Sequence, residues 1–247
     1  PVVSRPVSSF YLLARTNSGY QLQTIGEERS EFLPDNYSPE VEADFRYLLD
    51  ELTKPEPAGR LILIEGEPGT GKTRLVRALV AALQGGSMPV LIPSHLIENL
   101  SGPELVPTLL GHSRPVLLVL EDADFALVSR RNLNVPVPGG EPETVSDRAH
   151  VGALSSLLNL SDGIIGSKLN LRILATTNAR IDSVDPAILR PGRLLKRTSV
   201  GPLPVDRARK VVAREAKVPL ESVELPPTPD GTMTLAAAYA FARSVRR

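Results

Sequence analysis

Short apolar runs alternate with amphipathic stretches along most of the chain. Leu61-Ile62-Leu63-Ile64, Pro89-Val90-Leu91-Ile92, Val116-Leu117-Leu118-Val119-Leu120 and Leu171-Arg172-Ile173-Leu174-Ala175-Thr176 each read as a strand buried on both faces. Val200-Gly201-Pro202-Leu203 reads as a fifth, short strand. Residues 72–84, 104–110, 154–160, 206–217 and 234–245 carry helical spacing, the first of them stopped by Gly85-Gly86. Strands alternating with helices predict an open parallel sheet with crossover helices on both sides, followed by a small helical lid.

Upstream the period changes. Residues 10–15 and 20–25 read as two strands around the hairpin loop Thr16-Asn17-Ser18-Gly19. One hairpin is marginal alone and must pack on something. Ser38-Pro39-Glu40 starts a helix, with a capping serine and proline at the first helical position. Val41, Phe45, Leu48, Leu49 and Leu52 follow on one face, and the Pro-rich segment 54–59 ends it. Residues 132–146, rich in proline and glycine, read as a long loop, either facing a central pore or a surface insertion. The expected division is an N-terminal hairpin element over 1–35, an α/β domain over 36–200 and a lid over 201–247. The hairpin reads as the tail of an element that begins before Pro1.

Composition narrows the class. A chain of 247 residues, 42% apolar and 23% charged, can bury a core without staples. With no cysteine, disulfides and thiolate metal sites are excluded. No run is long enough to span a membrane and no charged start leads into an apolar export signal, so the expected location is intracellular and cytoplasmic. The 28 basic and 28 acidic residues cancel, which gives no bulk signal for nucleic acid. From Arg190 onward there are 12 Lys/Arg against five Asp/Glu, and the remainder carries the opposite excess. That asymmetry suits head-to-tail packing of like subunits or, equally, a solvated basic helix face.

The densest chemistry is Gly66-Glu67-Pro68-Gly69-Thr70-Gly71-Lys72-Thr73, a full G-x-x-x-x-G-K-[ST] pattern. Glycines let the backbone curl so that successive amides point inward at phosphate oxygens. The helix that follows aims its positive end at the same anion. Lys72 reaches the β- and γ-phosphates and the Thr73 hydroxyl binds Mg²⁺. The predicted strand before and helix after supply the required context.

A P-loop site also needs carboxylates at a neighbouring strand end, to hold the metal and polarise a water. Glu121-Asp122 follows the run 116–120, and Asp124 adds a third. By position alone Glu121 goes to the metal side and Asp122 to the water, with both as candidate metal ligands.

These residues together with three further segments resemble the AAA+ ATPases. Ala175-Thr176-Thr177-Asn178 is similar to their sensor-1 strand end. Residues 184–193, ending Arg190-Pro191-Gly192-Arg193, resemble the segment carrying their arginine fingers, and 157–163 the helix between. The likeness covers about residues 36–220. The Glu-Asp order within 120–124 looks most like the mitochondrial ATPase that translocates the folded Rieske protein, and its bacterial relatives. The resemblance implies a P-loop NTPase fold, a three-layer αβα open parallel sheet with a C-terminal helical lid. It implies ATP and ADP as ligands, Mg²⁺ as cofactor, and hydrolysis in a homo-oligomeric ring, a hexamer or heptamer, that remodels or translocates a protein. Asn178 then senses the γ-phosphate, and Arg190 and Arg193 act on the neighbouring subunit's nucleotide.

Two departures stand out. No aromatic occurs in 95–103, where many unfoldases carry an aromatic–glycine pore loop. The lid start, Thr232-Met233-Thr234-Leu235-Ala236, has no sensor-2 arginine, and Arg243 comes late in its helix. Two other functions remain open on sequence: a nucleotide-gated scaffold with little turnover, and a small-molecule P-loop kinase.

Overall fold

The computed structural model describes residues 8–99, 104–110, 112–127, 153–178, 186, 188–228 and 230–246. The loop 132–146 and the flanking Arg130-Arg131 lie outside them.

Among the described residues seven strands form one sheet in the order β2-β1-β4-β5-β6-β3-β7. They are β1 (Ser8–Thr16), β2 (Gly19–Glu28), β3 (Leu61–Glu65), β4 (Met88–Ile92), β5 (Val116–Leu120), β6 (Arg172–Thr177) and β7 (Leu194–Ser199). The pairings from β1 through β7 are parallel, and only the β1–β2 hairpin is antiparallel. The hairpin is longer than its pattern suggests and turns on Asn17-Ser18 alone. It packs on the edge of the main sheet through Tyr11 beside Val90 and Leu12 beside Leu91.

The apolar runs are buried on both faces because each strand feeds two cores. Leu61, Leu63, Leu118, Leu120, Ile173 and Ala175 face one cluster, with α3 (Leu105–Leu110), α4 (Asp124–Leu127) and α5 (Ala153–Asp162). Ile62, Ile64, Leu117, Val119 and Leu174 face the other, with α1 (Pro39–Thr53) and α2 (Lys72–Ala82). A short α6 (Ile164–Leu169) precedes β6. Ser38 caps α1 as its sequence suggests, accepting from the Val41 amide at 3.4 Å.

The edge strand after the arginine-bearing turn differs from expectation. It is residues 194–199, with Val200 just beyond it. Its sequence, Leu-Leu-Lys-Arg-Thr-Ser, hides it, because it is an edge strand with only Thr198 buried. Of the run 200–203 read as a fifth strand, Leu203 lies instead in β8 (Leu203–Pro204), which pairs with β9 (Thr232–Met233) outside the main sheet. That two-stranded ladder joins α7 (Val205–Ala216) and α8 (Leu235–Val245) around a third core containing Leu203, Val211, Val212, Met233 and Ala238. Among the described residues the lid therefore carries this small ladder as well as helices. Among the described residues no helix is long and apolar enough to cross a membrane.

Candidate functional site

The phosphate loop leaves β3 and enters α2 without spare residues. Glu65 pairs with Thr177 across the β3–β6 ladder, and the Gly66 amide donates to the Thr177 carbonyl at 3.2 Å. This pins the start of the loop beside the end of β6. Gly71, the N-cap of α2, sits at φ +103°, a conformation that favours glycine. Thr70 closes the turn by donating to the Glu67 carbonyl at 2.8 Å. From below, the buried Tyr37 hydroxyl donates to the Gly71 carbonyl at 3.1 Å, and burial pushes that phenol's pKa upward. From the lid, the Ala236 amide donates to the Gly69 carbonyl at 2.9 Å. Pro68, Gly69, Gly71, Lys72 and Thr73 line a cavity of about 770 Å³ between sheet and lid.

Lys72 is buried, and its ammonium donates to the Gly66 carbonyl at 2.8 Å, the Glu67 carbonyl at 3.1 Å and Asn178 Oδ1 at 2.7 Å. Desolvation lowers its pKa, opposed by the negative charges of Asp122 and Asp124.

The two carboxylates after β5 diverge, and the backbone shows why. Glu121 continues the alternation of Leu117 and Val119, so it faces α2; it lines a cleft of about 320 Å³ with Val119, Thr73, Val76 and Arg77. Its Oε1 is buried and has no hydrogen-bond partner among the described residues. Asp122 sits at φ +50°, a left-handed turn that swings it into the larger cavity beside Lys72, Thr73 and Asn178. Its amide is held by Thr176 Oγ1 at 3.0 Å. The carboxylates thus flank Thr73, one in each cleft.

Asn178 is held more tightly than its sequence suggests. Asp124 accepts from the Asn178 amide at 2.8 Å and from Thr177 Oγ1 at 2.6 Å. Asn178 Nδ2 approaches both Asp122 Oδ1 and Asp124 Oδ2 at 3.4 Å. Asp124, read from sequence only as a third carboxylate, anchors the strand end. Its spacing to Asn178, 54 residues apart, is invisible locally.

The arginines do not join this cluster within the chain. Arg193 Nε donates to Asp162 Oδ2 at 2.7 Å and its Nη2 to Asn159 Oδ1 at 2.6 Å, which fixes it against α5. Arg190 is exposed. Sequence reasoning also missed Arg74, Arg77 and Tyr239, which line the larger cavity together with Arg243, the arginine set aside above as late in its helix. The two α2 arginines follow Lys72 on one helix face, and that spacing was the available signal.

The glycine-rich loop between β3 and α2, Asp122 and Asn178 gather at one cavity, and Glu121 lines the adjoining cleft on the other side of Thr73. Residues 62–202 match the family model described as the ATPase family associated with various cellular activities (AAA). The chain belongs to the AAA ATPase family. That membership agrees with the P-loop α/β fold described above. It is 32% identical over 158 residues to a 26S proteasome regulatory subunit 6B homolog from Dictyostelium discoideum, covering 62% of this chain and 36% of that protein. It is 30% identical over 178 residues to the corresponding homolog from Saccharomyces cerevisiae, covering 70% and 38%. Protein CdcH of Halobacterium salinarum is 28% identical over 200 residues, covering 79% and 24%. The chain therefore spans less than two fifths of the length of each of these relatives.

Proposed function

We propose that this chain is the motor module of an AAA protein that binds Mg·ATP between sheet and lid. It hydrolyses ATP in a ring of like subunits, six or seven, and so remodels or translocates a protein partner. One observation carries the reading: Glu121 and Asp122 flank Thr73 from opposite clefts, with Asp122 in the cavity that also holds Lys72 and Asn178. The name of the Dictyostelium relative, a regulatory subunit of the 26S proteasome, is in keeping with work on a protein substrate. The Glu-Asp order supports the narrower kinship with the Rieske-translocase type. An intracellular location belongs to the same reading.

The donor set suits magnesium. Thr73 offers a hydroxyl, and Glu121 and Asp122 offer hard carboxylate oxygens, one of them, Glu121 Oε1, buried with no hydrogen-bond partner among the described residues. When bound, the metal would offset charge developing on the phosphates. Lys72 binds the β- and γ-phosphates as a point charge. Asp122 orients the attacking water and takes its proton at the carboxylate. Asn178, gripped by Asp124, donates to the water or the γ-phosphate without changing charge. Arg190 reaches from its exposed turn toward the neighbour's nucleotide, and Arg193 does so from a guanidinium already oriented by Asp162 and Asn159. A donated arginine stabilises transition-state charge and makes turnover depend on assembly.

Phosphate release, measured against protein concentration, tests this. Specific activity rises as subunits assemble. Asp122→Asn retains ATP but loses turnover, and Lys72→Ala loses binding. Mixing Arg193→Ala with Lys72→Ala subunits restores part of the activity, because each supplies what the other lacks. No rescue defeats action between subunits. Tight ATP binding with no phosphate release at any concentration favours the scaffold instead, and release only with an added small acceptor favours a kinase. If Glu121→Gln traps ATP while Asp122→Asn turns over normally, the two carboxylate roles are exchanged.

A further inference from the structure

The nucleotide cavity has two chemically different ends. One carries Lys72, Asp122 and Asn178. The other is walled by α2 and the lid helix α8, and there Tyr239 is the only aromatic side chain among the described lining residues. The Arg74 guanidinium lies over the Tyr239 ring, 4.6 Å from its centroid. Arg74 is exposed, and its long stem lets it move.

The tyrosine, in contrast, is fixed. Its hydroxyl accepts from Asn36 Nδ2 at 3.2 Å and from Arg214 Nη2 at 3.2 Å. Arg214 Nη2 also donates to Asn36 Oδ1 at 2.6 Å, and Asn36 is buried. The ring is thus clamped between the segment before α1 and the lid helix α7, with one face turned to Arg74. A flat cation stacked on a fixed ring marks a place where a flat aromatic heterocycle stacks equally well.

The geometry points to Tyr239 as the platform on which the nucleobase of the bound nucleotide stacks, with Arg74 covering the base's other face. This deepens the nucleotide-binding reading above and rests on it. It assigns base recognition to a side chain of the lid, so that a base holds the lid to the core and a bare polyphosphate does not. The Gly69 carbonyl, bonded to the Ala236 amide three residues before Tyr239, links the phosphate loop to the same helix.

The test separates base from phosphate. Binding of ATP and of inorganic tripolyphosphate, each with Mg²⁺, is measured calorimetrically on the full chain. Etheno-ATP fluorescence reports stacking. Tyr239→Ala lowers ATP affinity about tenfold, the scale of one lost base–aromatic stack, and leaves tripolyphosphate affinity unchanged. Quenching of bound etheno-ATP is lost as well. Tyr239→Phe, which keeps the ring and gives up the hydroxyl bonds, retains ATP affinity and quenching. Tyr239→Trp retains both. Arg74→Ala weakens ATP several-fold and spares tripolyphosphate. An equal loss for both ligands in Arg74→Ala makes that arginine a phosphate ligand and overturns the assignment. So does an unchanged ratio of the two affinities in Tyr239→Ala. If the wild-type chain binds neither ligand, the nucleotide reading itself fails. If it binds tripolyphosphate while the Tyr239 variants leave the ratio unmoved, only the base platform fails.

Discussion

Gly66→Ala separates a steric role from a conformational one at a single methyl group. Gly66 has φ +155°, and a Cβ added there would lie 2.1 Å from the Val200 carbonyl oxygen. Backbone cannot swing aside as a side-chain tip can. Val200 is also tied down, because its amide donates to the Glu65 carbonyl at 2.8 Å. Gly192 serves as the control: its φ is +86°, and a Cβ there would meet nothing within 4 Å. Gly192→Ala therefore pays for conformation alone, about 1 kcal/mol. Gly66→Ala adds overpacking of about 1–3 kcal/mol and loss of the Val200–Glu65 bond at about 1 kcal/mol. The combined expectation is about 3–5 kcal/mol. Urea unfolding of both variants gives the difference, and calorimetric ATP titration shows whether the surviving fold still binds. A Gly66→Ala chain no less stable than Gly192→Ala, with unaltered ATP affinity, would refute the close approach of the loop to Val200.

Three further perturbations test other parts of the structure. Asp124→Ala frees Asn178 and Thr177 from their shared acceptor; phosphate release should fall about 10²-fold, as for a misplaced catalytic contact, with ATP affinity nearly unchanged. Arg172→Ala removes a buried guanidinium that donates to the Leu52 carbonyl, and to the Lys54 carbonyl at 2.5 Å, at the C-terminal end of α1; denaturant melting should show a loss of about 3 kcal/mol. Glu28 accepts from Arg77 Nε at 2.8 Å, Ser30 Oγ at 2.6 Å and the Ser30 amide at 2.9 Å. Burial raises the Glu28 pKa, but those bonds and the Arg77 charge outweigh it and hold it below its ordinary 4.5. Its contribution is present above the ordinary value and fades as pH falls through the lowered one. Glu28→Gln should cost about 1 kcal/mol near neutral pH and progressively less in acid, and an undiminished difference at low pH would count against the pair.

Much of the arrangement is local and therefore legible in one dimension. The buried strands declare themselves because both faces are covered, so every position from Leu61 to Ile64 and from Val116 to Leu120 must be apolar. The phosphate loop is contiguous, and its glycines and lysine carry their backbone and charge requirements with them. β7 escaped detection because an edge strand need not be apolar, and its Lys-Arg-Thr-Ser stretch reads as loop.

Sequence by itself determined the buried strands and the helices that alternate with them, the glycine-rich loop between β3 and α2, and the presence of carboxylates and an asparagine at strand ends. Those depend on neighbours within a few residues. Tertiary structure decided which way the carboxylates face, since the left-handed turn at Asp122 is stabilised by Thr176 from another strand. It also decided that Arg193 is held by Asp162, and that Tyr239 is fixed by Asn36, 203 residues away. Side-chain partners this distant leave no periodic trace, because they are chosen by the packing of sheet and lid rather than by the chain between them.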